Sequence, residues 1–193
     1  MNMLYFYYGP MGSAKTATAL MKCFNFFERA MKALLLKPST DTRDGVTKIR
    51  SRIGLEADAI VVHPDDNIIS LIIEHYVDAI IIDEAQFLTR DQIIQLRDIV
   101  SCYNIPVWCY GLRTDFRGEL FEGSKALFEL ADEIHDIESV CDCGTKALII
   151  ARFDKDGNVI VDGDVVDLGG NEKYKAVCWK CYQKLLRKSG ERR

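Results

Sequence analysis

Along most of the chain, short apolar runs alternate with stretches whose apolar residues recur every three or four positions. Runs of strand length lie at Leu4 to Tyr8, Ala33 to Leu36, Ala59 to His63, Ala79 to Ile82 and Val107 to Tyr110, with a weaker one at Glu133 to Ile137. Several are continuous and not alternating, which suits strands buried on both faces of a parallel sheet. Between them, Lys15 to Arg29 carries Ala17, Leu20, Met21 and Phe24 at helical spacing. Thr89 followed by Gln92 forms a capping-box signal for a helix reaching about Tyr103. Strand and helix in alternation imply right-handed crossovers, so the pattern predicts an α/β fold with a doubly wound parallel sheet.

The texture changes after about Ser139. Two cysteine pairs there flank a hairpin-like segment, Ala147 to Phe153, a turn at 154–158, then Val159 to Val161. Too few apolar residues remain for an independent core. The expected division is therefore an α/β domain over 1–138 and a small domain over 139–193 that something besides apolar burial holds together. The basic end, Lys184 to Arg193, reads as a frayed, solvated tail.

A length of 193 residues, 48% of them hydrophobic, suits one main core. The net charge of -4 argues against a protein that binds nucleic acid by neutralising many phosphates, whereas a small anionic substrate needs only a local positive site. No apolar run approaches the ~20 residues of a membrane helix. Met1 to Tyr8 lacks the basic flank of a secretory signal. The expectation is a cytoplasmic protein with no membrane and no nucleic-acid partner. In a reducing compartment the seven cysteines are not a disulfide framework. Cys23, Cys102 and Cys109, isolated on apolar stretches, are expected to be buried small hydrophobes.

Candidate chemistry begins at Gly9-Pro10-Met11-Gly12-Ser13-Ala14-Lys15-Thr16, between the first strand and the first helix. A phosphate-binding loop belongs there: successive backbone N–H groups and the helix N-terminus converge on phosphate, Lys15 balances β/γ charge, and the Thr16 hydroxyl suits Mg²⁺. Ala14 stands where the usual pattern has glycine. Ala79 to Ile82 then ends in Asp83 and Glu84, the form expected of the strand beside the phosphate-loop strand. Asp83 is suited to hold Mg²⁺, and Glu84 to accept a proton from an attacking hydroxyl or water. Both motifs would emerge at the same carboxyl edge of a P-loop NTPase-type sheet.

Cys141 and Cys143, with Cys178 and Cys181, supply four thiolates for a saturated, structural Zn²⁺ site in a zinc-ribbon-like domain. Four reduced cysteines without metal are the alternative. The acids from Asp154 to Asp164 fail as a calcium loop, because Gly157 is misplaced and Val165 cannot ligate at the twelfth position. His63, His75 and His135 are scattered and read as structural. Arg113 and Arg117 suit either transferring phosphate or surface ion pairs.

Three further segments narrow the reading: Asp83-Glu84-Ala85-Gln86-Phe87, Gly111 to Phe121, and Gly169 to Tyr174 just before the second cysteine pair. With the phosphate loop, this set closely resembles the type II thymidine kinases, from Leu4 to Tyr182. The resemblance implies ATP as phosphoryl donor, thymidine as acceptor, and Glu84 as the general base for the nucleoside 5′-hydroxyl. It assigns Lys15, Thr16 and Asp83 to phosphate and Mg²⁺, and adds Gln86 and the Asp41-Thr42-Arg43 segment to the ATP side. Phe87, Leu112, Phe116 and Phe121 fall where the family encloses the base. A lasso over about 165–174, comprising Val165, Val166, Asp167, Leu168 and Gly169 and reaching Tyr174, would cover the pyrimidine and sugar. Asp167 is an acid where the family commonly has an apolar residue. The family also implies a homotetramer, a place in nucleotide salvage, and feedback inhibition by dTTP.

Two other readings use the same residues. A P-loop ATPase or motor would use Glu84 to polarise water. A binding module on a catalytically dead loop would make Glu84 dispensable.

Overall fold

The computed structural model describes residues 2–41, 45, 47–73, 75–163 and 173–190. In chain order the elements are β1 (Leu4–Tyr8), α1 (Lys15–Phe27), β2 (Ala33–Pro38), β3 (Lys48–Arg50), β4 (Glu56–Asp58), β5 (Ile60–Val62), α2 (Ile68–Ile73) and β6 (Ala79–Ile82). There follow a 3-10 turn at Ala85–Phe87, α3 (Arg90–Tyr103), β7 (Val107–Gly111), α4 (Glu122–Leu130), β8 (Glu133–Asp136), β9 (Ile149–Phe153), β10 (Val159–Ile160), β11 (Tyr174–Val177) and α5 (Trp179–Lys188).

The continuous apolar runs form a six-stranded sheet in the order β5-β2-β6-β7-β1-β8, with every neighbouring pair parallel. Alternate side chains feed two cores. Leu34, Leu36, Ile80, Ile82 and Val107 pack with Ile93 and Leu96 of α3 and Leu127 of α4. Leu35, Ile81, Trp108 and Tyr110 pack with Ala19 and Leu20 of α1 and with Ile49 of the hairpin made by β3 and β4. The β1–β7 register sets Tyr5 against Trp108 and Tyr7 against Tyr110. These pairs stack at 5.0 and 5.1 Å between ring centroids on the α1 side. The Thr89 capping box forms as expected: Thr89 Oγ1 accepts from the Gln92 amide at 3.2 Å, and Gln92 Oε1 accepts from the Thr89 amide at 3.1 Å.

One topological expectation is corrected. The strand that ends at Asp83 is not beside the phosphate-loop strand, because β7 lies between β1 and β6. All five residues of β7 and all four of β6 are buried, so these two most apolar strands take the centre of the sheet. The two motifs still meet across the end of β7 because that strand finishes in Gly111, where a Cβ would stand 2.8 Å from Gln86 Oε1.

Residues after Ser139 build a separate three-stranded antiparallel sheet, β10-β9-β11, with α5 against it. Its small core contains Ala147, Ile149, Ala151, Val159, Val177, Tyr182 and Leu186, together with Cys141 and Cys178. The expected tail is corrected over its first part: α5 runs to Lys188, and Leu186 is buried one turn after Tyr182. The stripe is so narrow that the surrounding Lys184, Arg187 and Lys188 mask it in the sequence. Cys102 is also corrected, since it is exposed on the outer face of α3; Cys109 is buried as expected and Cys23 partly so. Among the described residues no helix is long and apolar enough to cross a membrane.

Candidate active site

The phosphate loop leaves β1 at Gly9, whose amide donates to Gly111 O at 3.2 Å. A Cβ at Gly9 would fall 2.4 Å from Ile137 O and 2.5 Å from Ser13 Oγ, so only glycine fits. Gly12 has φ +80 and Ala14 has φ +63. The position lacking the usual glycine is thus a left-handed one, where a Cβ costs on the order of 1 kcal/mol. Lys15 opens α1, and its buried Nζ donates to Gly9 O at 2.9 Å, Pro10 O at 2.8 Å and Ser13 Oγ at 3.4 Å. The cation sits inside the curl of backbone that it serves.

Asp83 and Glu84 leave β6 at the same edge, the Asp83 amide donating to Leu36 O at 3.1 Å. Burial holds the Asp83 carboxyl well above the usual carboxylate range, and the Glu84 charge adds to that rise. The nearby Thr16 hydroxyl and the charge of Lys15 act in the opposite direction. Asp83 Oδ1 and the Tyr110 hydroxyl are both buried without a hydrogen-bond partner among the described residues. A carboxylate oxygen left unsatisfied beside a threonine hydroxyl is an oxygen donor set that suits a hard divalent cation with its waters, so these residues fit Mg²⁺.

Glu84 adopts φ +52, a left-handed conformation that a non-glycine residue holds only when its surroundings impose it. The neighbour that holds its carboxylate is Gln86. Its Nε2 donates to Glu84 Oε2 at 2.5 Å, and its Oε1 accepts from the Leu112 amide at 2.9 Å. Ser124 Oγ donates to Leu112 O at 2.5 Å, so α4 fixes the same loop. A Cβ on Gly123 would meet Ala85 O at 2.5 Å, which lets α4 press against the turn carrying Gln86.

The expected base-enclosing residues fall into two groups. Phe87 and Phe121 meet edge to face at 5.6 Å, next to Leu112 and Gln86. Phe116, 2% exposed, lies under the Arg152 guanidinium at 5.0 Å, and the same guanidinium stands 5.9 Å from the Tyr174 ring. Arg152 therefore ties the cysteine-bearing unit to the loop of the main sheet. Asp115 pins that loop by accepting from the Glu119 amide at 3.0 Å and from Arg117 Nε at 2.8 Å. Arg117 is thus engaged in ion pairs with Asp115 and Glu119, whereas Arg113 lines a small cavity beside Gly9 and Pro10. Asp41 is buried and pairs with Lys37 at 3.4 Å. Arg43, Val165, Val166, Asp167, Leu168 and Gly169 lie outside the described residues.

The four cysteines converge. Their Sγ atoms all lie within 4.8 Å of one another, and those of Cys143 and Cys178 are 3.6 Å apart. Tetrahedral ligation at the usual Zn–S length of about 2.3 Å sets sulfurs about 3.8 Å apart, so the cluster can hold a structural metal ion. Gly144, at φ +82, turns the first pair, and Cys178 caps α5 by accepting from the Cys181 amide at 3.4 Å. The Thr145 side chain and amide bring the Cys143 thiol down to about 6. Cys143, Cys178 and Cys141 push Cys181 up to about 12. Four sulfurs this close become thiolates together only around a cation.

The thymidine kinase family profile matches residues 2–182. A thymidine kinase of Vibrio cholerae is 45% identical over 190 residues, covering 96% of this chain and 99% of its own. One of Photobacterium profundum is 43% identical over 190 residues with the same coverage, and one of Rhodopirellula baltica is 43% identical over 182 residues, covering 92% of this chain and 86% of its own. The chain belongs to the thymidine kinase family.

Within a thymidine kinase fold the residues missed by sequence reasoning are the ones that position others. Lys37 is fully buried at the end of β2, where it donates to Gly45 O at 3.1 Å and Lys48 O at 3.0 Å as well as pairing with Asp41. Its only signal was a lysine closing an apolar run. Arg152 carried no local signal because it acts on Phe116 across elements far apart in the chain, and Ser124, bonded to Leu112 across one loop, matches no motif.

Proposed function

We propose that this chain transfers the γ-phosphoryl group of ATP to the 5′-hydroxyl of thymidine to give dTMP, with deoxyuridine a weaker acceptor. The observation that carries the reading is that the phosphate loop and the Asp83-Glu84 pair leave parallel strands at one edge of the sheet and meet across Gly111, which bonds Gly9 on one side and crowds Gln86 on the other. The loop amides of residues 9–16 and Lys15 bind the triphosphate, with Asp41 and Arg43 on the donor side. Thr16 and Asp83 hold Mg²⁺, which supplies charge neutralisation on the donor phosphates when bound. Glu84 accepts the proton of the 5′-hydroxyl as its oxygen attacks the terminal phosphorus. Gln86 keeps that carboxylate aimed while it waits.

Phe87, Leu112, Phe116 and Phe121 enclose the base and keep water from competing with the sugar alcohol. Residues 139–193 act as a second domain around a structural Zn²⁺ on Cys141, Cys143, Cys178 and Cys181. Its lasso at about 165–174, with Val165, Val166, Asp167, Leu168 and Gly169 and ending at Tyr174, closes over the nucleoside. The family resemblance supports a cytoplasmic salvage enzyme, a homotetramer and dTTP as feedback inhibitor. Met21, Phe24 and Phe27, exposed on α1, offer apolar surface for such an assembly.

The test is labelled ATP with each deoxynucleoside in turn, following both nucleoside monophosphate and free phosphate. Thymidine is expected to give dTMP, deoxyuridine less product and purine nucleosides almost none. Free phosphate released at the same rate without nucleoside would instead make the chain an ATPase.

A further inference from the structure

The hairpin of β3 and β4 ends in a turn tied at both sides. The Ser51 amide donates to Leu55 O at 2.8 Å, the Leu55 amide donates to Ser51 Oγ at 3.0 Å, and the Gly54 amide donates to Ser51 O at 3.0 Å. Gly54, at φ +88, supplies the bend, and Ser51 is buried. The turn is fixed, and the side chains it presents are exposed Arg52 and Ile53, of which Arg52 is the charged one.

Arg52 reaches over the phosphate loop. A Cβ built on Gly12 would lie 3.8 Å from Arg52 Nη1, ordinary van der Waals contact, so the guanidinium stands directly above the loop. Arg52 and Met11 line one cavity of about 380 Å³, whose far wall carries Tyr174 and Lys175. The other cations nearby are engaged. Arg50 and Lys48 pair with Glu56 on the same hairpin, Lys175 pairs with Asp142, and Lys15 is turned onto loop carbonyls. Exposed Arg52 forms no hydrogen bond or ion pair with any described residue. A solvated arginine on a rigid turn, aimed at a loop built for anions, has an evident ligand type. Guanidinium presents its N–H groups in a fixed fork that matches two phosphate oxygens, whereas a lysine offers a point charge.

We propose that Arg52 is a donor-phosphate ligand, supplied in cis by the hairpin, which binds the outer phosphates of the nucleoside triphosphate as charge shifts during transfer. This rests on the reading of residues 9–16 as the donor site. It adds a second cation, beside Gly12, that neutralises the equatorial oxygens of the migrating phosphoryl group. Neither Arg113 nor Arg117 is placed to do this from the hairpin side.

The test is calorimetric titration of the full chain with Mg-ATP, Mg-ADP and AMP, alongside steady-state kinetics, for wild type, Arg52→Ala and Arg52→Lys. Arg52→Ala is expected to weaken ATP about 10- to 100-fold, ADP less and AMP hardly at all, in keeping with loss of a charged bidentate contact. The KM for thymidine and the melting temperature should stay at the wild-type value, and Arg52→Lys should recover part of the ATP affinity. Wild-type protein that binds ATP as tightly as Arg52→Ala does overturns this inference alone, as would an effect confined to thymidine. Wild-type protein that binds no ATP overturns the reading of the loop itself.

Discussion

Gln86 and Glu84 are joined by a hydrogen bond of 2.5 Å, and the other end of the same Gln86 amide is fixed by the Leu112 backbone. The carboxylate is therefore aimed by a residue that is itself held at both ends. Gln86→Leu removes that hold, and kcat should fall about 10-fold or more, as small misplacement of a reacting group does. Gln86→Glu puts a second carboxylate beside the first. Two neighbouring acids disfavour double ionisation, so the acid limb of the pH–rate profile should move to higher pH. Stopped assays across pH 5 to 9 check both; a Gln86→Leu enzyme with wild-type kcat would leave Gln86 without a positioning role.

Ala14 sits at φ +63 immediately before Lys15. Relief of its left-handed strain by Ala14→Gly outweighs the extra freedom that glycine brings to the unfolded chain, for a net gain of about 0.5 kcal/mol. Urea unfolding should show a higher midpoint with an unchanged slope. A lower midpoint would mean that the loop prefers a different backbone in solution.

Asp132 locks the start of β1 to α3. Its Oδ2 accepts from the Leu4 amide at 2.8 Å and pairs with Arg97. Burial opposes the charge, but the Leu4 amide and the Arg97 guanidinium outweigh it and hold the carboxyl below its ordinary value. A carboxylate lowered in the folded state stabilises above the unfolded pKa, about 4, and loses that effect as pH falls through the folded value. Asp132→Asn should cost about 0.5–1 kcal/mol at pH 7, discounted for partial exposure, and less at pH 3. Equal destabilisation at both pH values would assign the effect to packing.

The four-sulfur cluster predicts about one zinc per chain in freshly reduced protein, since a saturated tetrahedral site binds a single ion. Cys143→Ser should lose most of it, and amides of β11 and α5 should then exchange with solvent far faster than those of β6. Metal analysis with hydrogen exchange reads both. Zinc-free protein with a fully protected α5 would show that the small apolar core around Tyr182 suffices.

Much of this arrangement is legible from residue order, because strand burial, the phosphate loop and the cysteine pairs are local patterns. Continuous runs such as Ala79 to Ile82 can sit only in the middle of a covered sheet. Strand order is different: whether β7 or β1 lies beside β6 depends on competition among whole strands for the centre, and no short segment records it. The hairpin of β3 and β4 buries only Ile49 well and is held largely by the ion pairs of Glu56, so its sequence reads as polar loop. Arg52 stays invisible for the same reason. Its meaning comes from where a turn lands and not from its neighbours in the chain.

The most direct test of the account is the single-turnover rate of Glu84→Gln with saturating Mg-ATP and thymidine, measured beside thymidine affinity. Loss of a general base that acts only on the reacting hydroxyl predicts a fall of about 10²-fold or more in the rate with thymidine binding preserved. A wild-type rate in the Glu84→Gln enzyme would contradict it and return Glu84 to a structural part at the end of β6.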